Sequence, residues 1–225
     1  MGEAIGQVLP LAVGVAISPL PIVAVVLMLV TPRARTNGPA FIVGWLLGLA
    51  VVGVVFLAIA GPSDASDDGQ PATWVNWLKL ILGVLLLFVA LKQWRARPPA
   101  GQPGPAPKWM GAVDTFTPVK AAGAGAVLSG LNPKNLLLAV GACAAIAQTG
   151  ASGADQAVAY VVFALIATIG VAAPVVIFFA MGERSRQVLD RLKARMEHGN
   201  AAIMAVLCLV IGAKLIGDAI SGFSA

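Results

Sequence analysis

The sequence predicts an all-α integral membrane protein with six transmembrane helices, arranged as two inverted three-helix repeats whose first and fourth helices are broken. Three observations carry this expectation. The chain has too few charges for a soluble surface, six apolar segments of spanning length, and a short motif that recurs in the first and fourth segments. Of its 225 residues, 59% are hydrophobic and 11% charged. Soluble proteins carry roughly 25% charged residues, so the bilayer is the solvent this composition suits. The net charge of +5 then reports membrane orientation rather than nucleic-acid binding, for which no groove-reading motif is present.

The apolar segments run over about 8–31, 40–61, 74–94, 121–147, 156–181 and 200–221. Each is as long as a tilted membrane helix requires. The first contains Ser18-Pro19-Leu20-Pro21, and the N-terminus ahead of it lacks the basic region and cleavage site of a signal peptide, so this span is expected to be retained. The second carries Gly44 and Gly48 at a spacing suited to close packing of helices within the monomer. Trp74, Trp77, Trp94 and Trp109 fall at predicted boundaries, where aromatic belts belong. The fourth contains Ser129-Gly130-Leu131-Asn132-Pro133-Lys134, and Pro174 is expected to kink the fifth. Cys143 and Cys208 lie singly in apolar runs and read as buried thiols.

The connectors differ sharply in charge. Twelve of the fifteen Lys and Arg residues lie in or beside the first, third and fifth connectors, and none lies in the second, the fourth or either tail. By the positive-inside bias, the odd connectors are cytoplasmic and both termini face outward. Residues 1–95 thus form a first repeat, 96–118 a proline-rich cytoplasmic linker, and 119–225 a second repeat. Within the second, about 182–199 reads as a basic amphipathic helix ended by Gly199. Val188, Leu189, Leu192 and Met196 share one face of it, and the rest includes Arg184, Arg186, Arg191, Lys193 and Arg195. Such a helix either lies on the inner membrane surface against anionic headgroups or is solvated and only enforces topology.

The repeat aligns Gly14-x-x-x-Ser18-x-Leu20-Pro21 with Gly125-x-x-x-Ser129-x-Leu131-x-Pro133. With three spans per half, the second half enters the membrane from the opposite side, as in many secondary transporters. Pro19, Pro21 and Pro133 each remove a backbone donor and disrupt the preceding turn. The freed groups must face protein or a wet cavity, where Ser18, Ser129, Asn132 and Asn135 can serve them or a passing solute. Lys134 brings charge to the membrane centre, which costs roughly 2.5–3.5 kcal/mol on insertion scales. No acidic residue lies near the centre of any span, so Lys134 needs an anionic ligand, water or a cage of freed carbonyls. Lys214 and Asp218 are spaced to pair near the outer end of the last span, and Lys79 should snorkel to the outer surface. The missing intramembrane carboxylates argue against divalent-cation transport. His198 is the single histidine, and no nucleophile–base or metal constellation appears, so neither an enzyme nor a cofactor is expected.

Two three-span halves, the proline break and Leu131-Asn132-Pro133-Lys134 resemble the LysE superfamily of exporters. Ile17-Ser-Pro-Leu-Pro-Ile22, Thr31-Pro-Arg-Ala-Arg-Thr-Asn-Gly-Pro39 and Phe41-Ile-Val-Gly-Trp45 are similar to one branch, the GAP or Sap-like family that addresses glycopeptidolipids and sulfolipids to the cell surface. The resemblance implies a transporter, or transport-assisting protein, for an envelope lipid in the bacterial inner membrane. It points to Pro19, Pro21, Asn132, Pro133 and Lys134 as site residues. The superfamily's amino-acid exporters carry Pro-Gly-Pro in the first break, where this chain has the bulkier Leu20, a departure that suits a larger, more apolar ligand. Two alternatives stand beside lipid transport: export of amino acids or organic anions, and a scaffold that recruits lipid-synthesis enzymes through the cytoplasmic linker.

Overall fold

In the computed structural model of the chain, the described residues are 1–59, 66–67, 70–71, 73–95, 113 and 115–224, with 59, 66–67, 70–71, 183, 193, 195–201 and 203 described for backbone only. Most of the linker, Trp109 and most of the acidic second connector lie outside them. Among the described residues, eight α-helices carry the fold: α1 (Gly2–Ala16), α2 (Pro19–Leu29), α3 (Ala34–Ile59), α4 (Thr73–Arg95), α5 (Pro118–Gly130), α6 (Pro133–Ala147), α7 (Gly153–Met181) and α8 (Ser185–Ser224). A two-residue antiparallel pairing, Ser66–Asp67 with Gln70–Pro71, precedes α4.

Four of these helices are long and apolar enough to cross a membrane, and there are six spans when each bent pair counts as one. The pairs are α1 with α2, bent by 50°, and α5 with α6, bent by 61°. Both bends sit where the sequence places a proline at the first position of the following helix. Proline suits that position because the first helical N–H has no intrahelical partner. It also withholds the donor that would carry the preceding helix onward.

The packing is reciprocal between the halves. α1 packs on α7 as α5 packs on α3; α2 meets α7 as α6 meets α3; and α2 meets α8 as α6 meets α4. α4 and α8 lie along each other. Exchanging the first three spans with the last three maps this set of contacts onto itself, which is compatible with the inverted repeat. Close approach is made possible by glycine. In α3, Gly44 and Gly48 face the backbone of α5 at Ala122 and Ala126, and in α7 Gly170 faces the Ala16 carbonyl of α1. The glycine pair in α3 therefore works within the monomer, as its spacing suggests.

The outer surface is apolar. Val43, Leu47, Val51 and Val54 form an exposed stripe on α3, and Val161, Leu165, Ile169 and Val176 form one on α7. In water such stripes would be a large aggregating patch, whereas against acyl chains they are neutral. The ends of α1, α4, α6 and α8 converge on one face at Glu3, Lys79, Gln148 and Asp218. On another, Arg35 meets Gly182, Ser185 and Arg186. The chain is thus a multi-pass membrane protein.

Two expectations are corrected. The basic connector and the last span form one continuous helix, α8, that runs through Gly199. A mid-helix glycine costs only about 1 kcal/mol, and no proline follows to stop the ladder. The apolar face of this connector is used inside the protein, with Leu189 fully buried and Leu192 packed against the core. Lys79 does not snorkel to the surface; it is 3% exposed. Pro174 lies inside the continuous α7, as its place in the fifth segment implies.

Orientation is open to a direct check in a background with the buried Cys143 and Cys208 changed to alanine. A membrane-impermeant maleimide should label Ser152→Cys on intact cells and spare Arg35→Cys. The opposite pattern would reverse the positive-inside assignment.

Candidate functional site

The site expected from sequence lies at the two bends. At the first, Ser18 precedes α2 in extended conformation and is 2% exposed. Pro19 and Pro21 are buried behind it. The Ser18 N–H bonds to the Val15 carbonyl at 3.0 Å, three residues back rather than four. The Gly14 carbonyl, its regular α-helical acceptor, is thereby released. The Ser18 hydroxyl makes no hydrogen bond, although a serine at this position commonly caps the helix that follows.

At the second bend the freed groups are met more fully. Asn132 caps α6, its side-chain oxygen accepting from the Lys134 N–H at 3.2 Å, with Pro133 opening the helix. The Asn132 N–H reaches back to Val127, which frees the Leu128 carbonyl. The Asn135 side-chain amide donates to that carbonyl at 2.8 Å. The Ser129 hydroxyl is fully buried and donates within its own helix, to Ala126 at 3.1 Å.

Lys134 joins the two bends. Its side chain crosses from the start of α6 to the end of α1, and its ammonium donates to the released Gly14 carbonyl at 2.5 Å. The residue is 3% exposed. An ammonium is favourable there because the unsatisfied carbonyls at a helix C-terminus carry partial negative charge. The anchor on a freed carbonyl is therefore the arrangement realised in this structure, and the two residues are 120 positions apart in sequence. Gly14 entered the sequence reading only as part of the repeat, since no side-chain pattern marks a backbone acceptor.

Polar capacity remains unused around this link. Among the described residues, four buried side-chain polar atoms have no hydrogen-bond partner: Ser18 Oγ, Asn37 Oδ1, Trp45 Nε1 and Asn135 Oδ1. Native proteins leave few such groups, and two of these belong to the bends. The site thus has a cation, an unengaged hydroxyl and an unengaged amide oxygen, with no carboxylate among its hydrogen-bond partners.

Two further features border the bundle. Between α3 and α7 lies an apolar cleft of about 420 Å³, lined by Gly53, Val54, Leu57, Ala157 and Tyr160 among others. The Tyr160 hydroxyl, donating to the Leu49 carbonyl at 2.7 Å, ties the two helices at its floor. On the side of the odd connectors, Arg35 and Arg186 line a cleft of about 260 Å³ with Phe178 and Phe179. Arg184, Arg186 and Arg191 stand exposed, while the side chains of Lys193 and Arg195 fall outside the described residues.

A sequence-family model described as "SfLAP: Sap, sulfolipid-1-addressing protein" matches residues 8–221. No curated protein and no solved structure matches the chain.

Proposed function

The chain belongs to the Sap, sulfolipid-1-addressing protein, family, and from that premise we propose that it moves an anionic or zwitterionic envelope lipid across the bacterial inner membrane. The observation that carries the proposal is the Lys134–Gly14 bond between the two bends. It places the one central charge on a partner that a better acceptor can replace. A phosphate, sulfate or carboxylate oxygen binds an ammonium more strongly than a peptide carbonyl does. An incoming headgroup would take Lys134 from Gly14, with Ser18 Oγ and Asn135 Oδ1 available to its hydroxyl or amine donors. Releasing Gly14 unties α1 from α6, and the two halves can then rock about the site to expose it on alternate sides.

The apolar cleft between α3 and α7 supports a lipid rather than a small amino acid as the cargo. It is open to the membrane and holds space for an acyl chain beside the bundle. Leu20, standing between the two prolines where the superfamily's amino-acid exporters have glycine, argues in the same direction.

Reconstitution tests this reading. Liposomes containing the purified chain and fluorescent envelope lipids of either charge type should show protein-dependent movement of the anionic or zwitterionic lipid between leaflets. Neutral lipid should stay in place. Movement of free amino acids with none of lipid would replace the proposal by small-solute export.

A further inference from the structure

We propose that the polar cavity on the face of the termini is a second ligand site, which holds an oxyanion on Lys79 and an attached ammonium at Glu3. The cavity has a volume of about 280 Å³ and is formed by four helix ends. The start of α1 supplies Glu3 and Gln7, α4 supplies Lys79, the end of α6 supplies Gln148, and α8 supplies Asp218 and Ser221. This volume suits a headgroup or small solute. It is also a concentration of polar side chains in a chain that is 59% hydrophobic.

The neighbours of Lys79 are already engaged with one another. The Lys214 ammonium donates to Asp218 at 2.7 Å and to Gln7 at 3.0 Å. The Gln148 amide donates to Asn76 at 2.7 Å. Lys79 is 3% exposed and lines the cavity, yet its ammonium has no hydrogen-bond or ion-pair partner among the described residues. A buried charge that no group contacts directly is costly to hold, and an anion bound in the cavity would relieve that cost. Asp218 attracts Lys79 across the cavity but makes its direct ion pair with Lys214, whose own charge repels Lys79.

The rest of the charge pattern defines the ligand. Glu3 stands exposed at the cavity and is likewise without an ion-pair partner among the described residues. α1 and α4 turn their N-termini to this face, while α6 and α8 turn their C-termini to it, so positive and negative dipole ends meet there. A purely anionic ligand would use Lys79 and be repelled by Glu3. A group that carries an oxyanion and an ammonium together satisfies both. The site is separate from the Lys134 bend, and its occupancy does not depend on the transport reading.

The test is calorimetric titration of the full chain in an uncharged maltoside detergent. The probes are inorganic phosphate, ethanolamine, phosphoethanolamine and dihexanoyl phosphatidylethanolamine. Phosphoethanolamine should bind about tenfold more tightly than phosphate, the equivalent of one added charge-assisted hydrogen bond, and ethanolamine alone should not bind. Lys79→Met should abolish binding of all phosphate-bearing probes, Lys79→Arg should retain it, and Glu3→Gln should bring phosphoethanolamine down to the level of phosphate. Tighter binding of the dihexanoyl lipid assigns a lipid headgroup, and equal binding assigns a free solute; both uphold the site. Absence of phosphate and phosphoethanolamine binding to the unaltered chain overturns it, as does unchanged binding to Lys79→Met. If Lys79→Met does not fold, protection of Lys79 from reductive methylation by phosphoethanolamine gives the same decision, and methylation at an undiminished rate rejects the site.

Discussion

Lys134→Met should leave the protein folded and lower lipid movement by about 30-fold or more, the equivalent of about 2 kcal/mol or more for truncating one partner of a buried charge pair. Stability should change little because opposing terms nearly cancel. Holding the charge at the membrane centre costs about 2.5–3.5 kcal/mol, and its bond to the Gly14 carbonyl returns about 1.5–3 kcal/mol. Methionine removes both and leaves Gly14 unsatisfied, a penalty of about 1–3 kcal/mol, so the central values of these terms leave a net loss of about 1 kcal/mol. Transport has no such cancellation. In the loaded state the ammonium would face an oxyanion, and methionine has nothing to offer it. Lys134→Arg keeps the charge and should keep part of the rate. The measurements are leaflet exchange in liposomes and the thermal unfolding midpoint of the same preparation. A purely structural lysine would give the reverse: a lowered midpoint with an unchanged rate per folded molecule.

The contrast between Lys134 and Lys214 shows what a sequence makes legible here. The Lys214–Asp218 pair was predictable because both partners are side chains four residues apart on one helix, and it forms at 2.7 Å. The partner of Lys134 is a backbone carbonyl in the other half of the chain, which the sequence marks only indirectly, through the proline that releases it. The breaks themselves were plain, since Pro19 and Pro133 interrupt apolar runs that would otherwise be straight spans. Segment lengths likewise anticipated the candidate spans. Lys79 was misjudged for a different reason. Its place near a span end suggested snorkelling, but the neighbouring ends of α1, α6 and α8 close over it, and that convergence is a tertiary fact. The join within α8 was missed because Gly199 carries the local mark of a helix end while nothing after it breaks the hydrogen-bond ladder.

Gly44→Leu and Gly170→Leu should each destabilise the bundle by about 3 kcal/mol or more, at or beyond the upper end of the usual cost of overpacking. The reason is the nature of what the added atoms would meet. A Cβ at Gly44 would overlap the Ala122 carbonyl of α5, and one at Gly170 would overlap the Ala16 carbonyl of α1. Backbone cannot rotate aside as a side chain can, so relief requires the helices to separate along the whole crossing. In a membrane there is little hydrophobic force to hold separated helices together, since lipid is as apolar as the side chains, and contact packing carries the association. Losing the crossing between α1 and α7 would also shift Gly14 relative to Lys134, coupling this defect to transport. Gly123 provides the control, because nothing lies within 4 Å of a Cβ built there. Gly123→Ala should raise the unfolding midpoint slightly through helix propensity, worth about 1 kcal/mol. Gly44→Ala should lower it despite the same propensity gain. Unfolding followed by size-exclusion chromatography after graded heating separates the cases, and equal midpoints for Gly44→Ala and Gly123→Ala would show that the crossing of α3 and α5 is looser than these contacts require.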